Sequence, residues 1–347
     1  MIERRNIIDM NDLQLQDELW RLIQGFKMTQ AIYVVTKLGI PDLLKEGPRS
    51  YEELAQETHA HAPSLYRVLR LLTALGLFTE GEAHRFAVTP MGAFLQTGVA
   101  GSMHNMVLRF GYADFWQVWR ALLYSVQTGQ PSWEHVFGLS PWQYRAQNPE
   151  AAAVFDAFMA ESIANLAPAV VAAYDFSTTS SLVDVGGGRG QLLGSILQTY
   201  QALHGVLFDL PHVVAEAFPL LERAEVTERC QIIGGDAFKA VPADYETYLL
   251  SRVIHDWDDE HAVTLLTRCQ QAMQPQGKVL LVEYMILADR AEVHVLESDV
   301  NMLVAMGGKE RTDAEYRALL SAAGLTQTRL LPVLPPYYLI EAVRVTA

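Results

Sequence analysis

Leu182-Val183-Asp184-Val185 runs straight into Gly186-Gly187-Gly188-Arg189-Gly190, and apolar residues then recur at helical spacing at Leu192, Leu193, Ile196 and Leu197. Strand, glycine turn and helix in that order form the opening unit of a nucleotide-type Rossmann sheet. Glycine is required where backbone comes so close to a ligand that a Cβ would collide. The pattern restricts the fold strongly and the ligand weakly. G-x-G-x-G suits S-adenosylmethionine (SAM), NAD or FAD, and some glycine turns do no more than cap a helix.

The chain after residue 180 supports an α/β reading. Strand patterns at 182–185, 205–208, 231–233, 248–253 and 279–283 alternate with helical ones, which implies a parallel sheet covered on both faces. Ala262, Leu265, Leu266, Cys269 and Met273 share one face of a helix that Pro275 and Gly277 stop. Two further strands, 328–331 and 338–345, close the sheet as a hairpin around Pro335-Pro336.

A length of 347 residues predicts about two domains. Residues 1–100 read as a mostly helical domain and 101–347 as a second, in which a helical connector over about 101–175 precedes the sheet. A helix over 20–38 ends at Gly39-Ile40-Pro41, and Ser50 with Glu53 forms a capping box. Leu65, Val68, Leu69 and Leu72 form the inner face of a helix over 63–75 with Gly76 behind it. A small hairpin follows at Phe78-Thr79 and 85–88, and Thr89-Pro90 restarts a helix. This is a winged-helix-like order, but ten Lys/Arg against twelve Asp/Glu in residues 1–100 leave no footprint for phosphates. The apolar faces are expected to pack against a second copy of the chain.

A net charge of −14 argues against nucleic acid or an anionic membrane as main partner. No apolar run reaches the ~18 residues of a membrane span, the first twelve residues are too polar for a signal peptide, and segment 166–174 is apolar enough to be buried on all sides. Cys230 and Cys269 make no disulfide framework, so a reducing cytoplasmic location is expected.

Ligands of an open α/β sheet bind beyond the carboxyl ends of the strands. Asp209 lies 19 residues past Gly190, near the spacing at which an acid takes a ribose hydroxyl pair. Asp236 ends the third strand with Phe238 close by, which suits an adenine amine and ring face, although either acid can instead cap a helix. Together with the glycine loop, these strand ends point to a bound adenosine. His255 follows the fourth strand, and an unperturbed pKa of about 6.5 suits a general base. Glu283 ends the fifth strand, and Glu310 lies on a turn further on. Carboxylates beside an imidazole fix its tautomer and stabilise the imidazolium formed on proton abstraction. No two-ligand metal helix motif is present, and no metal is expected.

The glycine loop, Phe208-Asp209-Leu210-Pro211, Gly235-Asp236-Ala237-Phe238, His255-Asp256-Trp257, Glu283 and Gly308-Lys309-Glu310-Arg311-Thr312 together resemble the SAM-dependent small-molecule O-methyltransferases. That group includes plant caffeic acid and flavonoid enzymes and bacterial natural-product relatives, and the likeness spans most of residues 110–330. It implies an N-terminal dimerisation domain, a homodimer, SAM as methyl donor with S-adenosylhomocysteine as product, and a hydroxylated aromatic or polyketide-like acceptor. By position it assigns Gly186, Asp209, Asp236, Ala237 and Phe238 to SAM, His255 to the base with Glu283 and Glu310 flanking it, and Phe155, Phe158, Met159, Asp256, Met302 and Met306 to the acceptor. Where plant members carry a cofactor-binding Lys this chain has Ser251, then Arg252, whose side chain is expected on the opposite strand face. Ala237 stands for a Met and Arg189 for a Thr, departures that put plant phenolic acceptors in doubt but leave the donor unchanged.

Overall fold

The computed structural model describes residues 10–287 and 292–345; the polar start that argues against a signal peptide falls mostly in residues 1–9, outside the described residues. Two compact units are present, one comprising Met1–Trp116 with Ala153–Glu161 and the other Gln117–Ala152 with Ser162–Ala347.

In the first unit a helix, Met10–Lys37, precedes helices Tyr51–Thr58 and Ala62–Ala74. Ser50 and Glu53 form the expected capping box, and Leu65, Leu69 and Leu72 are buried with Val35, Ile40 and Phe86. The hairpin pairs β2 (Phe78–Glu80) with β3 (Arg85–Val88), and β1 (Arg49–Ser50) adds a third strand that two residues could not announce. Thr89 does not restart an α-helix. Its hydroxyl accepts the Gly92 N–H at 3.0 Å and starts only the short 3-10 turn Gly92–Leu95. Helix His104–Gly111 comes very close to Tyr33: a Cβ on Gly111 would lie 2.1 Å from the ring.

The second unit is a three-layer sandwich. Its sheet contains β4 (Ser181–Val185), β5 (His204–Asp209), β6 (Cys230–Gly234), β7 (Thr247–Ser251), β8 (Lys278–Ile286), β10 (Leu325–Leu334) and β11 (Tyr337–Arg344), in the order β10-β11-β8-β7-β4-β5-β6, with the two-residue β9 (Arg311–Thr312) beside β8. The first five are parallel and the closing hairpin is antiparallel. Alternation along the strands divides the core. Val183, Tyr248 and Leu281 pack against helices Asp259–Ala272 and Asp313–Ala322, whereas Leu182, Leu249 and Val282 pack against helix Gln191–Thr199 and the end of helix Pro149–Ala173.

Three sequence expectations change here. Segment 166–174 is buried on one face only: Leu166, Ala167, Val170 and Tyr174 are inside, while Pro168 and Ala172 are exposed, because small alanines make the outer face apolar by composition without needing cover. Helix Pro149–Ala173, with a mean hydropathy of 1.4 over eighteen residues, has the length and composition of a membrane span despite lacking an unbroken apolar run, yet Leu166 and Val170 belong to the sheet core. The fifth strand runs past Glu283 to Ile286, because β9 pairs with Met285 and Ile286 and extends it.

Gly111→Val should destabilise the fold by about 1–3 kcal/mol, the usual cost of overpacking. Urea unfolding of variant and parent checks this; equal midpoints would mean the helices separate without cost.

Candidate active site

Strand β4 delivers the glycine loop. Gly186 and Gly188 have φ of 72° and 60°, the left-handed region that favours glycine. A Cβ on Gly187 would lie 2.6 Å from the Asp184 carboxylate, whereas one on Gly188 would meet nothing within 4 Å. The Gly188 N–H donates to Asp209 Oδ2 at 2.8 Å, and Asp209 Oδ1 accepts the Leu210 N–H at 2.6 Å. Asp209 is therefore tied to the loop, and burial holds its pKa above the usual carboxylate range. Asp236 Oδ1 accepts the Phe238 N–H at 3.0 Å, and Oδ2 pairs with exposed Lys239 at 3.2 Å. Phe238 stands edge-on to Trp257, with centroids 4.6 Å apart, and near His261. Ala237, between them, packs against the same core.

The Ser251 hydroxyl is buried at these strand ends without a hydrogen-bond partner among the described residues, and the buried Asp184 carboxylate has only the Leu193 N–H at the helix start to turn to. Asp184 was not singled out from the sequence, where it reads as one more residue of an apolar strand. Burial, with Asp209's charge adding, pushes it up to about 7, and the helix N-terminus at Leu193 offsets this only in part. Open space over Gly188, the Asp209 carboxylate and the unpartnered Ser251 hydroxyl fit an adenosyl ligand with a polar tail.

Arg252 departs from the strand-alternation expectation. Strand β7 stops at Ser251, and Arg252 has φ 57°, so face alternation no longer governs it. Its Nη1 donates to Ser162 Oγ at 2.8 Å, and it sits within electrostatic range of Tyr337, Tyr284, Asp256 and Glu283.

His255 occupies the 3-10 turn Ile254–Asp256 and is 7% exposed. Its Nδ1–H donates to Glu310 Oε1 at 2.9 Å, with Glu283 Oε2 4.0 Å from Nδ1 and Asp256 Oδ1 3.6 Å from Nε2. Burial alone would lower the imidazolium pKa, but the charges of Glu310 and Glu283, the Glu310 hydrogen bond and Asp256 outweigh it and raise it to about 10. The two glutamates differ in environment. Glu283 accepts the Val253 and Ile254 N–H groups on Oε1 at 2.9 and 2.7 Å, and burial raises it to about 7. Burial also penalises Glu310, but His255's charge and bonds from His255 and Ser298 Oγ (2.7 Å) keep it below the usual range. Ligand-type atoms of His255, Glu283 and Glu310 lie within 4.8 Å of one another, as in a metal site; here the Nδ1–Oε1 contact engages His255 and Glu310, and the peptide N–H groups engage one oxygen of Glu283. Met302 is buried and Met306 half-buried on and after helix Val293–Ala305 in this unit.

Phe155, Phe158 and Met159 lie half-buried in the first unit. There Phe158 is 5.8 Å from Phe110, and the Arg109 guanidinium, paired with Asp114 at 2.7 Å, lies 6.0 Å from the Phe155 ring. Phe110 and Phe115, stacked at 5.0 Å, belong to this cluster and were not foreseen. Glu161 sets its register by accepting the Asn105 and Met106 N–H groups at the start of helix His104–Gly111.

Residues 119–326 match a family model described as an O-methyltransferase domain, and residues 20–98 match an O-methyltransferase dimerisation domain. The chain is 40% identical to phenazine O-methyltransferase PhzM of Lysobacter antibioticus over 94% of this chain and 96% of that protein. It is 38% identical to the mitomycin biosynthesis 6-O-methyltransferase of Streptomyces lavendulae over 90% and 89%. Among solved structures, the mitomycin 7-O-methyltransferase MmcR superposes with a TM-score of 0.91 at 35% identity, covering 96% of this chain and 98% of that one. NcsB1 from neocarzinostatin biosynthesis, solved with SAM and 2-hydroxy-5-methyl naphthoic acid, superposes at 0.80 with 31% identity, covering 92% and 96%.

Asp184→Asn tests the carboxylate under the loop. A native pKa near 7 against an unfolded value near 3.8 means the folded state binds this proton more tightly, so its contribution to stability falls as pH rises from about 4 to 7. The melting temperature of the variant should therefore gain on the parent between pH 5 and pH 8. A constant difference across that range would show that Asp184 does not titrate there.

Proposed function

As a member of the O-methyltransferase family this chain is a SAM-dependent methyltransferase, and we propose that it methylates a hydroxyl of an aromatic or polyketide-like small molecule with His255 as general base. The observation that carries the reading is the 2.9 Å contact between His255 Nδ1 and Glu310 at the carboxyl end of β7.

That contact assigns the tautomer. With Nδ1–H committed to Glu310, Nε2 is the nitrogen left to take a proton from an acceptor hydroxyl. Glu310 then stabilises the imidazolium, and Glu283 holds the turn through two peptide N–H groups. Gly186, Asp209, Asp236, Ala237, Phe238 and Ser251 are the residues proposed to hold SAM. Arg252 keeps its candidacy for the cofactor carboxylate, because its left-handed φ frees it from strand alternation. SAM supplies an electrophilic methyl group; the protein supplies orientation and proton removal. Asp256, Met302 and Met306 are proposed acceptor contacts, with Phe155, Phe158 and Met159 further candidates from the family pattern. N–H acceptors also lose a proton, and the 8-amino-8-demethylriboflavin N,N-dimethyltransferase of Streptomyces davaonensis is a 34% identical relative. A panel pairing phenols with arylamines separates the two atom types.

We also propose a homodimer through the N-terminal domain. Leu19, Trp20, Leu22, Ile23 and Phe26 are exposed on helix Met10–Lys37, Leu22 to 75%, and an apolar surface of that extent calls for a partner. The free thiols Cys230 and Cys269 suit a cytoplasmic enzyme.

His255→Ala should lower kcat for S-adenosylhomocysteine production by about 10²–10⁴, the span of general base catalysis, while SAM affinity by calorimetry stays within about twofold; near-normal kcat would remove His255 from the base role. In the parent, activity should climb as pH rises toward 10, because the imidazolium must lose its proton before it can act. Ile23→Asp combined with Leu22→Asp should yield monomer in sedimentation at micromolar concentration, and an unchanged dimer would place the interface elsewhere.

A further inference from the structure

Arg311 is fully buried. All five of its N–H groups are used. Nε and Nη2 donate to Asp259 Oδ1 at 3.1 and 2.9 Å, and Nη2 also donates to the Trp257 carbonyl at 2.7 Å. Nη1 donates to the carbonyls of Ile254 at 3.1 Å and Lys309 at 3.3 Å. A buried guanidinium persists only when its donors are satisfied. An ion pair alone does not explain this one, because Asp259 is its single carboxylate partner and the Asp259 side chain is 57% exposed.

The other acceptors carry the meaning. Ile254 and Trp257 bracket His255, so the guanidinium grips the main chain on both sides of the imidazole. The Lys309 N–H donates to the His255 carbonyl itself at 3.0 Å. Gly308 permits this approach, since a Cβ there would lie 2.1 Å from that oxygen. Glu310, between Lys309 and Arg311, takes the ring. Three consecutive residues thus hold the carbonyl, the side chain and the flanking carbonyls of one histidine, and pairing of Arg311 with Met285 ties them to the sheet.

We propose that Arg311 is a positioning residue for methyl transfer, fixing the His255 imidazole against Glu310 through the peptide groups around it. The inference rests on His255 being the base. A lysine cannot replace it, because a single ammonium lacks the planar fork that spans two carbonyls and a carboxylate.

The test uses Arg311→Lys and Arg311→Met in the full chain, with Asp259→Asn as a milder variant at the exposed end of the guanidinium in case the others do not fold. Displacing a catalytic group by about 1 Å costs on the order of 100-fold, so kcat of Arg311→Lys should fall by about that factor, with KM for SAM and acceptor within about twofold. Asp259→Asn should show a smaller loss of the same kind. NMR titration of His255 should show its pKa lowered in each variant, because the hold of Glu310 is loosened. The other acidic groups facing the ring, Glu283 and Asp256, are unaltered by these substitutions, and so is Arg252. Unchanged kcat with an unchanged His255 titration would overturn the proposal whatever happens to Tm, as would a loss confined to KM. The titration does not depend on catalysis, so it still judges Arg311 if His255→Ala shows that the base is another group.

Discussion

An imidazole enclosed by three carboxylates is the constraint around which the second unit is arranged. Desolvating an ion costs several kcal/mol even after relaxation, and His255, Glu283 and Glu310 are all buried. Such a cluster is tolerable only if charge is balanced and lone pairs are occupied. The two glutamates meet that demand only in part and in different ways, each leaving its Oε2 without a hydrogen-bond partner among the described residues. Glu310 keeps its charge beside the imidazolium and receives the Ser298 hydroxyl. Glu283 sits where burial favours its neutral form and receives two peptide N–H groups. Two carboxyls with divergent environments beside one histidine are an arrangement suited to proton transfer.

Strand register brings these groups together. Residues 283 and 310 are far apart in sequence, but β8 continues past Glu283, and β9 pairs with its last residues. That pairing places Glu310 one residue before a fixed point on the sheet. The other half of the ligand-bearing edge touches the same turn: a Cβ on Gly186 would lie 2.8 Å from a Val253 methyl. The glycine loop and the histidine turn are therefore in van der Waals contact. A side chain at Gly186 would meet both a left-handed backbone and the segment that carries His255.

What the sequence made legible follows from how local each signal is. The glycine loop, the capping box at Ser50, the parallel strands and the closing hairpin are written in neighbouring residues, and their positions were readable within a few residues. The placement of Asp209 and His255 at or just past carboxyl strand ends was readable because each follows a clear apolar strand pattern. The misses depend on contacts distant in sequence or on single dihedrals. β1 and β9 are two residues each and exist only through their partners. The left-handed Arg252 ends β7 earlier than its apolar pattern suggested. Arg311 looks like a surface cation in a polar motif until the fold wraps the carbonyls of residues 254 and 257 around it. Asp184 looks like a strand residue until the missing Cβ of Gly187 shows how tightly the loop lies over it.

The first helix presents a different problem. At ~100° per residue, Leu15, Leu19, Leu22, Ile23 and Phe26 cover one broad arc of Met10–Lys37, and Leu13 with Trp20 extends it to roughly half the circumference. All seven are exposed. A helix resting on the flat face of a globular domain needs a narrower stripe than this. An apolar surface this wide is buried only when cover comes from more than one side, as in a groove between helices. The proposed dimer must therefore enclose this helix rather than merely abut it. The fold of the single chain leaves this apolar arc bare, with Asp12, Asp17, Glu18 and Arg21 interspersed along the same turns.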